Sequence, residues 1–214
     1  MGTSYKEALF NKMPIVGILR NAPLETIEAF LPAYKKAGLT TLEITMNSDN
    51  VSEIIGYLSK NHPDLNIGAG TVCTMEDLKK ALTAGASFIV TPIIDDEVIS
   101  YCKNHKIPVF PGAFTPSEIY NAAKLGATAV KVFPATQLGA GYIKDVLAPL
   151  NHLKLLPTGG VSLENIESFF KAGAMGVGMG GTLFDKKFIE KKDYDGLYSH
   201  FKAICDKVTK SIQG

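Results

Sequence analysis

Eight short apolar runs, recurring at intervals of about 20–30 residues, are the feature that most limits what this chain can fold into. They lie at 14–19, 41–44, 66–69, 87–91, 107–110, 127–133, 153–157 and 175–179. Between them, segments at 24–37, 51–61, 75–84, 96–104, 116–125 and 163–172 carry apolar residues three and four apart. Leu78, Ala81 and Leu82 form one such stripe, and Ile166, Phe169 and Phe170 another. Uninterrupted apolar strands alternating with amphipathic helices predict a parallel sheet covered on both faces. Eight such units in 214 residues predict an α/β fold of one particular kind, a (β/α)8 TIM barrel with an extra N-terminal helix, as one domain over 1–214. The rival is an open doubly wound sheet, but eight similar units leave little to serve as its edges.

Local chemistry agrees with the helix assignments. Thr74-Met-Glu-Asp77 and Thr115-Pro-Ser-Glu118 place a capping hydroxyl before an acidic first turn, the second with Pro at the first helical position. Ala37-Gly38, Ala84-Gly85-Ala86, Leu125-Gly126-Ala127 and Ala172-Gly173-Ala174 end segments with a glycine that can turn left-handed.

Charge and composition remove whole classes of function. With 22 Lys+Arg against 21 Asp+Glu, the net charge of +1 lacks the basic excess that neutralises nucleic-acid phosphates. No apolar run approaches the roughly 20 residues that span a bilayer. The opening Met1-Gly-Thr-Ser-Tyr-Lys-Glu has no apolar core of a secretory signal. Cys73, Cys102 and Cys205 are odd in number and far apart, as suits reduced thiols, so the expected location is cytoplasmic.

A barrel of this kind keeps its chemistry at the carboxyl ends of its strands, so polar residues within or just after the apolar runs are the candidates. Arg20, the single arginine, ends the first run, and Glu43 interrupts the second. Thr71 follows the third, Pro92 the fourth and Pro111-Gly112 the fifth. Lys131 interrupts the sixth, with Phe133 just after it. Thr158-Gly159-Gly160 ends the seventh and Gly180-Gly181-Thr182 the eighth. A lysine between Val130 and Val132 in a covered strand points inward, where desolvation favours the neutral amine needed to attack a ketone. The alternative is a stem that snorkels to solvent or pairs with Glu43. A buried Glu43 suits proton transfer or, more plainly, acts as a counter-ion. Arg20 offers a bidentate fork for a carboxylate or phosphate. Two glycine clusters after strands seven and eight suit phosphate held by backbone N–H groups, although tight turns alone would also explain them.

Other motifs carry less. Gly176-Val-Gly178-Met-Gly-Gly181 matches a dinucleotide fingerprint but lies in the last strand and turn rather than the first, so that reading is rejected. His62, His105, His152 and His200 are scattered and read as solvated surface residues, so no metal site is expected. Cys73 reads as a packed thiol beside the third strand.

Taken together, the blocks Leu-Glu-Ile-Thr around Glu43, Ile-Gly-Ala-Gly-Thr-Val (67–72), Pro-Gly-Ala-Phe-Thr-Pro (111–116), Lys-Val-Phe-Pro-Ala from Lys131 and Pro-Thr-Gly-Gly-Val (157–161) resemble the 2-keto-3-deoxy-6-phosphogluconate / 4-hydroxy-2-oxoglutarate aldolases. The resemblance runs in order from Pro14 to about Phe184. It implies a class I aldolase, using neither metal nor cofactor, that acts as a homotrimer on a phosphorylated keto-sugar acid. Lys131 then matches the Schiff-base lysine and Glu43 the proton-transferring glutamate. Arg20, Thr71, Pro92, Phe133 and Thr158 form the expected substrate-binding set. Gly159, Gly160, Gly180, Gly181 and Thr182 match the phosphate region. Some members carry an arginine four residues after the glutamate; here Asn47 stands there, and Arg20 is assigned the substrate's anionic groups. Glu-Ile-Thr-Met-Asn-Ser resembles the branch acting on the galactonate epimer, and Pro-Thr-Gly-Gly the gluconate branch. The alternatives are a galactonate-epimer aldolase, an aldolase for unphosphorylated 4-hydroxy-2-oxo acids, a sugar-phosphate isomerase or epimerase using Glu43 without an imine, and a barrel that binds a phosphorylated metabolite without turnover.

Overall fold

The computed structural model describes residues 4–213. The first elements are α1 (Glu7–Lys12), β1 (Ile15–Leu19), α2 (Leu24–Ala37), β2 (Thr41–Thr45), α3 (Val51–Asn61), β3 (Asn66–Gly70) and α4 (Met75–Ala84). Next come β4 (Ile89–Val90), α5 (Asp96–Asn104), β5 (Val109–Phe110), β6 (Gly112–Ala113) and α6 (Pro116–Leu125). The chain continues through β7 (Val130–Val132), α7 (Gly139–Leu147), β8 (Leu155–Pro157), α8 (Ile166–Lys171), β9 (Val177–Met179), α9 (Lys186–Glu190) and α10 (Tyr194–Gln213).

The strands form two parallel sheets, one in the order β5-β4-β3-β2-β1-β9 and one in the order β6-β7-β8. The fifth apolar run therefore does not end at Pro111. That residue splits it, and Gly112–Ala113 continue as a strand paired with β7 while Val109–Phe110 pair with β4. Proline lacks the N–H that a continuous ladder would use, which accounts for the break. Its carbonyl still accepts from Lys131 N–H at 2.9 Å, holding the next strand in register. At the opposite flank a bridge between Thr158 and Gly178 links β8 to β9.

Alternation along the strands separates two cores. Leu42, Ile44, Ile89, Val109, Val130, Val132 and Leu155 face the helices within a large outer cluster. Val16, Phe88, Val90, Phe110, Ala129 and Leu156 meet Phe10 in a smaller inner cluster drawn from both sheets. Sharing one inner cluster requires the sheets to curl around it. Helix α1 reaches this cluster from the amino-terminal end of the strands. Phe10 stacks on Phe110 with centroids 6.1 Å apart, and the backbone of Lys6 is held by both ends of the buried Asn66 amide.

Helix ends follow the local chemistry. Thr74 Oγ1 accepts from Asp77 N–H, and Thr115 with Glu118 forms a full capping box with Pro116 in the first turn. Gly38, Gly85, Gly126 and Gly173 all adopt φ between 95° and 115°. One boundary moved: the segment expected at 163–172 is helical only over Ile166–Lys171, because Asn165 folds its amide back to Ser162 N–H and Gly160 O before it. Helices α7, α9 and α10 lie outside the segments that periodicity predicts as helical. The last is the longest in the chain, and it buries Leu197, Phe201, Ile204 and Val208 in the outer core.

Candidate active site

Lys131 is the central residue of β7 and Glu43 the central residue of β2. Each has outer-core neighbours on both sides, Val130 and Val132 or Leu42 and Ile44, so each projects to the inner face. Both are buried, at 6% and 1% exposure. Burial pushes the Lys131 ammonium below its ordinary range, opposed by the Glu43 charge and reinforced by Arg20. Burial likewise pushes the Glu43 carboxyl up, opposed by Lys131 and Arg20. Each group thus lies within electrostatic reach of the other and of Arg20. They do not form the ion pair that a purely structural pairing would require: among the described residues, Glu43 Oε2 is buried without a hydrogen-bond partner. The Lys131 Nζ instead sits 4.7 Å from the centre of the Phe133 ring.

Space for the carboxylate comes from Gly70. Strand β3 runs beside β2 with Glu43 opposite Gly68 and Thr45 opposite Gly70, and a β-carbon on Gly70 would coincide with the Glu43 carboxyl group. The next residue, Thr71, adopts φ +55°, rare for a β-branched side chain, and so turns the backbone sharply at the mouth of the site. Pro92 follows β4, and its carbonyl occupies the space that a β-carbon on Gly112 would need. These positions bring Arg20, Thr71, Pro92 and Phe133 to the carboxyl ends of β1, β3, β4 and β7.

The glycine clusters meet at a neighbouring part of the same end. Gly159 and Gly160 have φ +94° and +72°, and Thr158 is buried against Gly178. Thr182 Oγ1 donates to Val161 O at 2.5 Å, tying the two clusters together. Its hydroxyl proton is thereby committed. The N–H groups of Gly160, Gly181 and Thr182 donate to no protein group among the described residues. A β-carbon on Gly181 would touch nothing within 4 Å.

A cleft of about 760 Å³ runs along Arg20, Pro23, Phe30, Gly180, Gly181 and Lys186. Lys131 and Glu43 lie outside its lining, so the cleft adjoins the buried pair rather than containing it. Lys186 was not anticipated. It lines the cleft together with Gly181 yet forms no ion pair among the described residues, although Glu190, one turn further along α9, lines the same cleft.

Two expectations for lesser residues change. His62 is not a solvated histidine: its Nε2 lies 2.7 Å from Glu28 and its Nδ1 2.9 Å from Lys35 Nζ, between α2 and the end of α3. His200 lies with Nε2 2.9 Å from the Thr182 carbonyl. Cys73 is half-buried rather than packed away, and it lies within electrostatic reach of Lys131, although burial and Asp77 push its thiol up. No group of three or more metal-ligating side chains occurs among the described residues, and no described helix is long and apolar enough to cross a membrane.

An inward glutamate on β2 of one sheet and an inward lysine on β7 of the other, beside glycine-rich turns with N–H groups that meet no protein acceptor among the described residues, suit carbonyl chemistry on an anionic substrate. Comparison with known proteins agrees. The family model for KDPG and KHG aldolase matches residues 7–199. A 2-dehydro-3-deoxy-phosphogluconate aldolase of Haemophilus influenzae is 33% identical over 205 residues, 94% of this chain and 96% of the relative. A solved structure described as native KDPGal has a TM-score of 0.86 at 30% identity, covering 95% of this chain and 98% of its own. The KDPG aldolase of Legionella pneumophila, captured with pyruvate as a covalent carbinolamine intermediate, has a TM-score of 0.85 at 26% identity, covering 92% and 97%. The chain belongs to the KDPG and KHG aldolase family and is an aldehyde-lyase.

Proposed function

We propose that the protein cleaves 2-dehydro-3-deoxy-6-phosphogluconate to pyruvate and glyceraldehyde 3-phosphate through a Schiff base on Lys131, and 4-hydroxy-2-oxoglutarate to pyruvate and glyoxylate by the same route. The observation that carries this reading is the buried Lys131–Glu43 pair, mutually charged in influence but not joined as an ion pair. Its fold counterpart is a closed (β/α)8 barrel: the Thr158–Gly178 bridge and the Pro111–Lys131 hydrogen bond support joining the two sheets into one ring.

In the mechanism, the neutral Lys131 amine attacks C2 of the keto acid, and the carbinolamine loses water with a proton supplied by Glu43. The resulting iminium withdraws electrons as a base takes the C4 hydroxyl proton. Glu43, directly or through a water, is that base. The C3–C4 bond breaks, the aldehyde leaves, and the electron pair forms an enamine. Protonation at C3 and addition of water release pyruvate and restore the amine. Arg20 holds an anionic group of the substrate. Thr71, Pro92, Phe133 and Thr158 enclose the pyruvyl part. Gly159, Gly160, Gly180, Gly181 and Thr182 receive the phosphate through N–H groups, with Lys186 adding positive charge. The same site read with the opposite C4 configuration is a galactonate-epimer aldolase, a reading supported by the likeness to the KDPGal structure. The proposal includes a homotrimer in the cytoplasm.

Borohydride reduction in the presence of pyruvate, followed by peptide mass spectrometry, is the test. A reduced adduct on Lys131 is expected. A folded protein that gives no adduct would exclude imine chemistry on Lys131. Turnover of the two C4 epimers side by side then assigns the branch, and light scattering reports the oligomer.

A further inference from the structure

Among the described residues Arg20 itself makes no side-chain hydrogen bond or ion pair, and it is exposed. The residue that follows it, by contrast, is held. This residue, Asn21, adopts φ +53°, the left-handed conformation that asparagine takes up more readily than other residues with a side chain. The Asn21 N–H donates to Ser48 Oγ at 2.9 Å. Ser48 is buried at 8% exposure, and its hydroxyl shares a 3.0 Å hydrogen bond with the Thr45 hydroxyl. Its own N–H donates to Thr45 O, also at 3.0 Å. Thr45 is 1% exposed and stands two residues beyond Glu43, on the same face of β2.

We infer that Ser48 is a positioning residue for substrate binding: its hydroxyl clamps the Arg20–Asn21 turn to the end of β2, so that the guanidinium is presented to the Glu43–Lys131 pair. A serine hydroxyl has one proton to give and two lone pairs to receive; here it accepts from Asn21 N–H and shares a bond with the Thr45 hydroxyl in which either group can donate. Removing it orphans a half-buried N–H at a residue already in the left-handed region, which frees the turn to relax. Arg20 then loses its fixed origin, and a displacement of about 1 Å is enough to weaken binding. The inference rests on the reading that Arg20 binds an anionic group of the substrate.

The test is a double-mutant cycle on the full-length protein, reading KM and kcat with 2-dehydro-3-deoxy-6-phosphogluconate. Ser48→Ala is expected to raise KM about fivefold with kcat kept, the size of one lost neutral hydrogen bond. Ser48→Thr, which retains the hydroxyl, restores KM. In the Arg20→Ala background, Ser48→Ala adds less than about twofold, because the group it positions is gone. Thr45→Val removes only the partner hydroxyl and serves if Ser48→Ala does not fold; it moves KM in the same direction and is equally silent without Arg20. An unchanged KM in the single variants, or a full repeat of the increase in the Arg20→Ala background, overturns the inference. An unchanged KM in Arg20→Ala alone instead removes the reading of Arg20 on which it stands.

Discussion

The Glu43 carboxylate occupies the volume that any side chain on Gly70 would need. The acid of the buried pair is therefore seated by the absence of an atom on the neighbouring strand, and Gly70→Ala must displace it. The variant is expected to lose about 100-fold or more in kcat, the usual worth of a positioned proton donor. Steady-state kinetics alongside circular dichroism checks this; a folded Gly70→Ala enzyme with normal kcat would deny Glu43 its role.

The depressed Lys131 sets a pH dependence of stability with a definite sign. Between its lowered value in the fold and its ordinary 10.5, the unfolded chain holds a proton that the folded chain lacks. Stability therefore rises with pH across that window. Lys131→Met should flatten this rise, stabilise the protein near neutrality and abolish the pyruvate adduct. Glu43 has the opposite sign: between 4.5 and its raised value the folded chain holds the extra proton, so stability falls as pH rises, and Glu43→Gln removes that fall. Urea midpoints measured against pH for the three proteins provide the comparison.

Gly181 tests the phosphate end without disturbing the fold. An added β-carbon meets no heavy atom within 4 Å, so Gly181→Ala should unfold at the wild-type temperature. It is expected to raise KM for the phosphorylated substrate roughly tenfold by obstructing approach to the Gly181 and Thr182 N–H groups, while leaving 4-hydroxy-2-oxoglutarate unaffected. Equal effects on both substrates would place the phosphate elsewhere.

Phe10 joins α1 to the inner core and is fully buried against Phe110. Phe10→Ala should cost about 3–5 kcal/mol in denaturant unfolding. A cost under 1 kcal/mol would mean that α1 is dispensable to that core.

The Thr115 capping box lies at the start of α6. Thr115→Ala is expected to cost about 1 kcal/mol of stability with the pyruvate adduct still formed, as measured by thermal melts and trapping.

Much of this arrangement was legible in the chain. Helices α2 to α6 begin and end where periodicity, caps and glycines place them, because those signals act within one turn of backbone. Lys131 and Glu43 stood out because a charge inside an apolar strand has only a costly explanation or a functional one. What escaped notice depended on partners distant in sequence. Pro111 looked like a strand end and proved to be a break between two strands, since the pairing of Gly112 with Lys131 is a long-range event. Helix α10 has an amphipathic face whose purpose lies in α2 and α8, far earlier in the chain. Lys186 is one of many lysines until the fold brings it into one cleft with Arg20 and Gly181.

Local backbone preference and hydrophobic periodicity are properties of neighbouring residues, so the amino-acid sequence alone determined the alternation of strands and helices, their caps and the two charges carried inward. Burial, register and electrostatic reach are sums over residues brought together from across the chain. Only the tertiary structure decided that Gly70 seats Glu43, that Ser48 holds the turn bearing Arg20, and that the two glycine clusters meet.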